Sequence, residues 1–299
     1  MPPLEGIFAA AVTPLAPDLS PDLEALPTLL DFLAQQGAHG ALLLGTTGEG
    51  PSFSPAEREA ILRAALQVRA AHPGFRLLAG TGTPSLTETA DLTRLAFDLG
   101  YDGALVLPPY YFRQATEDGL FAYFAGLIRR AVPADSSLFI YHIPSLTGVT
   151  LTTDFLARLQ QAFPGTFAGL KDSSHDAGFA RELGERFGAS LTVFTGTDSL
   201  LQLALGQQAA GCITAPANLF TPQLRAVWDA FRAGQDPSPA QAELSDRRHV
   251  LERYAPFPPI LKGLLAHRQG FPRWPVRPPL VPVDDERLAR AAAELERLD

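Results

Sequence analysis

The chain uses lysine only twice, against twenty-two arginines, and one of the two closes the apolar run Phe167-Ala168-Gly169-Leu170-Lys171. An arginine at the end of a buried strand stays protonated, whereas a lysine amine can lose its proton and attack a carbonyl carbon. Amine chemistry is one reading of Lys171. The other is a lysine whose stem lies along the strand while its head reaches water. For a nucleophilic amine the chemistry is specific: a carbon–carbon bond beta to a carbonyl breaks readily when the electrons left behind flow into a protonated imine. Burial favours the neutral amine that must make the first attack near neutral pH. Because a lysine imine is its own electron sink, no organic cofactor and no metal is required.

Other residue types fit beside an amine. The run Gly45-Thr46-Thr47-Gly48-Glu49-Gly50 offers two hydroxyls and backbone NH groups, freed by glycines such as Gly48, that can surround a carboxylate without any basic side chain. The plain alternative is a tight turn leading to a helix cap at Ser54. It is no phosphate loop, because the GxxxxGK[ST] spacing is missing. Tyr141 is either a core phenol with a satisfied hydroxyl or, beside Lys171, a proton carrier between carbinolamine, iminium and solvent. Aromatic packing is the plain reading of Tyr110 and Tyr111 in Pro-Pro-Tyr-Tyr, and a solvated surface position that of Arg113. The lone Cys212 cannot form an internal disulfide or a paired-thiolate site, and the six histidines contain no HExxH pattern, so nothing supports a metal centre.

The elements that must position these residues show in the alternation of short apolar runs with helical segments. Strands are expected at 7–12, 41–44, 76–79, 103–107, 138–142, 167–171, 192–195 and 212–215. Ser54 to Glu57 and Ser85 to Glu88 read as capping boxes, and Ser20-Pro21 and Thr221-Pro222 as caps before a first-turn proline. Eight strand-helix units predict an α/β fold, a (β/α)8 TIM barrel filling residues 1–220 with additional C-terminal helices over 221–299. The proline-rich stretch 272–282 reads as an extended connection before a helix over 285–298. In such a barrel the strand carboxyl ends share one side, so Thr46, Tyr111, Tyr141 and Lys171 are expected to converge. A net charge of -8 with scattered basic residues argues against a nucleic-acid surface. With no run long enough for a bilayer and no basic secretory start, the chain is expected in the cytosol, acting on small molecules.

Taken in order, GTTGEG, Pro108-Pro109-Tyr110-Tyr111, Tyr141-His142-Ile143-Pro144-Ser145-Leu146-Thr147-Gly148 and Gly169-Leu170-Lys171-Asp172-Ser173-Ser174 resemble the dihydrodipicolinate synthase / N-acetylneuraminate lyase family of pyruvate-dependent class I aldolases. Phe194-Thr195-Gly196-Thr197-Asp198 and Gly211-Cys212-Ile213-Thr214 extend the resemblance over essentially the whole chain. It implies that Lys171 forms the Schiff base with a 2-oxo acid such as pyruvate and that Tyr141 shuttles protons. By the same resemblance Thr46 and Thr47 hold the pyruvate carboxylate and orient Tyr141, while Gly196 and Ile213 line the pocket through their backbone. Tyr111 would reach into a neighbouring subunit's site, which implies a dimer at least and commonly a homotetramer, a dimer of dimers.

Departures from the family pattern bear on the substrate. Synthases that condense pyruvate with aspartate semialdehyde carry an arginine where this chain has Leu146, and leucine leaves a substrate carboxylate unpaired. Sialic acid lyases carry an acidic residue where Ser199 follows Asp198, and His142 replaces the usual asparagine. The expectation is an aldolase that cleaves a 2-keto-3-deoxy sugar acid, or a similar 4-hydroxy-2-oxo acid, to pyruvate and an aldehyde. Ser173, Thr197, Asp198 and Thr214 are candidates to bind its hydroxyls. The alternatives are dihydrodipicolinate (4-hydroxy-tetrahydrodipicolinate) synthase itself, a non-catalytic 2-oxo-acid-binding barrel, and a phosphate-binding isomerase, for which the loops after strands seven and eight lack glycine clustering.

Overall fold

The computed structural model describes residues 4–299. Eight parallel strands, β1 (Gly6–Ala10), β2 (Gly40–Leu43), β3 (Arg76–Gly80), β4 (Gly103–Val106), β5 (Leu138–His142), β6 (Phe167–Asp172), β7 (Thr192–Thr195) and β8 (Gly211–Thr214), close into a barrel in sequence order. Helices fill the connections: α1 (Ala25–Gln35), α2 (Pro55–Ala65), α3 (Val68–Ala71), α4 (Leu86–Asp98), α5 (Glu117–Ala131), α6 (Pro144–Thr147), α7 (Thr153–Ala162), α8 (Ala177–Phe187) and α9 (Leu201–Gly206). After β8 come α10 (Ala217–Arg232), α11 (Ser238–Arg253), α12 (Phe257–Gln269) and α13 (Asp285–Glu296). The fold is the expected (β/α)8 barrel with added C-terminal helices. Among the described residues no helix is long and apolar enough to cross a membrane.

By its contacts the chain forms two compact units, one holding Arg76–Cys212 and the other Gly6–Phe75 with Ile213–Asp299. In the first, β4, β5 and β6 present Val106, Ile140 and Leu170 to Phe124 and Leu127 of α5 and Phe155 and Leu159 of α7. Residues 104–106, 138–140 and 167–170 are apolar or glycine because both faces are covered there, and the polar His142, Lys171 and Asp172 come only at the carboxyl ends. The opposite face carries Phe139, whose ring meets Phe194 of β7 edge-on at 5.9 Å. Gly169 has no freedom to be anything larger, since a Cβ there would lie 1.8 Å from the Thr192 carbonyl oxygen.

In the second unit the buried Asn218 joins the end of β1 to the segment that follows β8. Its Nδ2 donates to the Ala10 and Ala215 carbonyls at 2.8 Å, and its Oδ1 accepts from the Val12 NH at 3.1 Å. That side chain ends β1 at Ala10, two residues before the expected end, because the Val12 amide is bonded to Asn218 and not to a strand.

Three expected helix starts are corrected. Ser54 and Glu57 form the full capping box, but Ser85 only accepts from the Glu88 NH, because its own NH goes to the Thr83 hydroxyl. Ser20 caps no helix: Asp18 takes its NH and hydroxyl in a local turn, and α1 begins at Ala25, whose NH Asp22 accepts. In α10 a non-helical Phe220 (φ -123°, ψ 33°) makes a kink, and Pro222 falls in the first turn after it as expected, but the Thr221 hydroxyl donates back to the Ala217 carbonyl and caps nothing.

Candidate active site

Register on β5 and β6 sets Tyr141 opposite Lys171 and His142 opposite Asp172. Side chains alternate between the two faces of a strand, so the two pairs point opposite ways. Ile140 and Leu170 pack against the helices, and Tyr141 and Lys171 face the other side. Lys171 is only 4% exposed, and its Nζ lies 4.2 Å from the centre of the Tyr141 ring. The amine therefore does not run along the strand to water; it is a buried group on the face of a phenol.

The loop after β7 closes on the same amine. A Cβ at Gly196 would stand 1.9 Å from Ser173 Oγ and 3.0 Å from Lys171 Cε, so only glycine fits while both side chains keep their places. The Gly196 NH donates to the Asp172 carbonyl at 2.6 Å, which fixes that approach. Thr197 and Asp198 follow, both buried, and the Thr197 hydroxyl has no partner among the described residues.

His142 turns toward the helices, where its ring is 4.9 Å from that of Phe179 on α8. Its Nδ1 pairs with Asp172 Oδ1 at 2.9 Å, and Asp172 also accepts from the Ser174 NH at 3.1 Å and hydroxyl at 3.0 Å. This buried link ties the ends of β5 and β6 together behind the Tyr141–Lys171 pair. Tyr111 and Leu146 behave differently. Tyr111 is 77% exposed in an edge-to-face pair with Phe112 at 5.2 Å, and Leu146 on α6 is 56% exposed. Within a single chain Tyr111 is presented to the outside.

The second unit holds the glycine-rich turn. Thr46 is exposed and Thr47 buried. The turn is closed by the Glu49 NH on the Thr46 carbonyl and the Gly50 NH on the Gly45 carbonyl, both at 3.1 Å, and by the Thr13 hydroxyl on the Gly48 carbonyl at 2.7 Å. A Cβ at Gly48 would meet the Ala11 carbonyl oxygen at 2.8 Å. Leu44 (φ 58°) and Glu49 (φ 55°) adopt left-handed backbone that costs a non-glycine residue about 1–2 kcal/mol each. Ile213, on β8, is buried in this unit.

Glu49 and Lys262 are the residues that sequence reading passed over. Lys262 is fully buried and donates to Glu49 Oε1 at 2.6 Å and to the Pro275 carbonyl at 2.7 Å. Burial pushes its pKa down, and the Glu49 charge pulls against that shift. The available signal was the residue type itself, a second lysine set among Ile260, Leu261 and Leu264 in a chain that otherwise chooses arginine. Among the described residues no group of three or more His, Cys, Asp or Glu is placed to hold a metal ion.

The parallel eight-stranded barrel thus carries, at the carboxyl end of β6, a buried lysine against a tyrosine. The dihydrodipicolinate synthetase family model matches residues 3–298, and the chain belongs to that family, whose members are class I aldolases and lyases. A relative from Chloroflexus aurantiacus named "Uncharacterized DapA-like lyase" is 44% identical over 98% of this chain and 96% of its own length. A 4-hydroxy-tetrahydrodipicolinate synthase from Sorangium cellulosum is 34% identical over 99% of this chain and 97% of its own. The crystal structure of dihydrodipicolinate synthase from Agrobacterium tumefaciens superposes with a TM-score of 0.88 at 31% identity, covering 99% of both chains.

Proposed function

We propose that the chain is a Schiff-base-forming, pyruvate-dependent aldolase that reversibly cleaves a 2-keto-3-deoxy sugar acid, or a similar 4-hydroxy-2-oxo acid, to pyruvate and an aldehyde. The observation that carries this is the buried Lys171 amine 4.2 Å from the Tyr141 ring. The amine adds to the C2 carbonyl of the substrate, a proton reaches the carbinolamine oxygen by way of the Tyr141 phenol, and water leaves to give the protonated imine. The C4 hydroxyl then gives up its proton, the C3–C4 bonding electrons pass into the iminium to form an enamine, and the aldehyde departs. Protonation at C3 and hydrolysis of the imine release pyruvate and restore the amine.

In this reading Thr46 and Thr47 hold the substrate carboxylate, and the glycine-conditioned turn described above suits that role. Ser173, Thr197 and Asp198, buried polar groups next to Lys171 and in the loop after β7, favour a hydroxylated distal end. The synthase activity carried in the names of some relatives is the second reading. Leu146 weighs against it, because it offers no cation to a semialdehyde carboxylate. The exposed Tyr111 and Phe112 support assembly with further copies of the chain, a homotetramer by family expectation, with the cytosol as its place of action.

Borohydride reduction in the presence of pyruvate is the test. One reduced pyruvyl group at Lys171 is expected, and an unmodified mass for the folded protein would refute the proposal. A panel of 2-oxo acids scored for pyruvate release then identifies the aldehyde half.

A further inference from the structure

The turn assigned to the substrate carboxylate is held by residues that come from more than two hundred positions away in the chain. Glu49 Oε1 takes the Lys262 amine of α12 at 2.6 Å, and Glu49 Oε2 takes the Arg277 backbone NH at 2.9 Å. Lys262 also bonds the Pro275 carbonyl, so both donors to Glu49 belong to α12 and the proline-rich stretch after it. Arg277 then reaches segments that lie before and after the turn in sequence. Its Nε donates to the Leu19 carbonyl at 2.9 Å, its Nη1 to the Ser52 carbonyl at 2.8 Å and to Glu57 Oε2 at 3.1 Å, and its Nη2 to Glu57 Oε1. Its guanidinium covers the Phe53 ring at 4.5 Å.

Two features make this more than a tie between elements. Glu49 is the left-handed residue of the turn, and such a conformation persists only where the surroundings over-determine it. Glu49 also bonds the Thr46 carbonyl through its own NH at 3.1 Å, so the residue that receives Lys262 sets the position of Thr46 directly. Both members of the ion pair are buried, 0% exposed for Lys262 and 3% for Glu49, where apolar replacements of both are often no less stable than the pair. A buried pair that holds one turn in one geometry is placed to act as a positioning device.

We infer that Glu49, Lys262 and Arg277 are positioning residues that hold the Thr46–Thr47 turn for the carboxylate of the 2-oxo acid, with α12 and the stretch from Pro275 to Arg277 as the backing of that subsite. This rests on the Schiff-base reading above. It predicts a loss specific to carboxylate-bearing ketones, because the Lys171 amine and its Tyr141 neighbour are untouched.

The test compares borohydride trapping at Lys171 with pyruvate and with acetone, which presents a ketone and no carboxylate, in the full-length protein. The double variant Glu49→Leu/Lys262→Met removes both buried charges, and Arg277→Lys keeps the backbone NH on Glu49 while losing the fork on Ser52 and Glu57. The expected result is a half-saturating pyruvate concentration raised roughly 10- to 100-fold in the double variant and less in Arg277→Lys. Acetone trapping should hold in protein still folded at the assay temperature, although the double variant loses some melting temperature because the Arg277 NH and the Pro275 carbonyl lose these partners. An unchanged pyruvate dependence, or equal losses with pyruvate and acetone, overturns the inference. Absence of any adduct in the wild-type protein would instead sink the aldolase reading itself, and this inference with it, before a variant is made.

Discussion

Changing Gly196 to Ala is the sharpest probe of the Lys171 geometry, because the added methyl has nowhere to go. It would stand 1.9 Å from Ser173 Oγ, 3.1 Å from Ser173 Cβ and 3.0 Å from Lys171 Cε, where packed carbon atoms sit about 3.5–4.0 Å apart. The Ser173 hydroxyl must therefore move by more than about 1.5 Å, and the lysine stem by about 0.5 Å. The backbone cannot retreat cheaply, since the Gly196 NH is bonded to the Asp172 carbonyl at 2.6 Å. Overpacking of this kind costs about 1–3 kcal/mol. Should a comparable cost fall on the attacking amine, adduct formation slows by roughly 5- to 150-fold. Timed borohydride quenching with saturating pyruvate measures that rate, and thermal unfolding measures the stability loss. Ser173→Ala in the Gly196→Ala background removes the worst contact and should restore most of the stability, while the trapping rate recovers only in part because the contact with Lys171 Cε stays. Wild-type trapping by Gly196→Ala, or no recovery of stability in the double variant, would show that Ser173 and Lys171 do not occupy the positions described.

Tyr141→Phe keeps the aromatic face under the amine and removes the proton carrier, so the pyruvate adduct should still be trapped, with turnover lowered roughly 10²- to 10⁴-fold; undiminished turnover would remove Tyr141 from the chemistry. Leu146→Arg supplies the missing cation, and its expected outcome is a gain of condensation with aspartate semialdehyde, read by coupled assay; no gain would leave the exclusion of synthase activity without support. The hydrogen bond and charge of Arg277 hold Glu57 at a pKa of about 2, below its ordinary value of 4.5. A depressed carboxylate contributes stability above the unfolded value and loses it as the pH falls through the folded one. The Glu57→Gln variant should therefore be less stable than wild type by about 1–2 kcal/mol at pH 7, after discounting for solvent screening. That gap should narrow below about pH 4.5 and vanish near pH 2, as followed by denaturant midpoints. A gap independent of pH would mean that the charge of Glu57 is not what Arg277 senses.

Strand positions were legible because a strand covered on both faces is dominated by apolar and β-branched residues, and β5 and β7 occupy the expected residues 138–142 and 192–195. The misses occur where a side chain takes over a backbone partner. Val12 leaves β1 because its amide is bonded to Asn218, 206 residues later, and nothing near Val12 announces that. Ser20 has the composition of a cap, but Asp18 claims its hydroxyl first. Local spacing predicts local bonds, and these two positions are decided by competition between a local and a rival acceptor. His142 shows the same limit in the site: its type was plain in the sequence, but whether it faced Lys171 or the helices depended on the register of β5 against β6.

The two lysines carry that contrast into function. An arginine would place a rigid fork where each of them places a single nitrogen. Lys262 spends its donors on Glu49 and Pro275, which makes it a structural cation whose amine is committed. Lys171 is buried to a similar degree, but its neighbour is the face of a phenol, and among the described residues no carboxylate is paired with it. Burial alone therefore does not separate a nucleophile from a strut. The partner does: a chain that elsewhere prefers arginine keeps one lysine held fast by an acid and, on the proposed function, the other where a compact amine is left able to react.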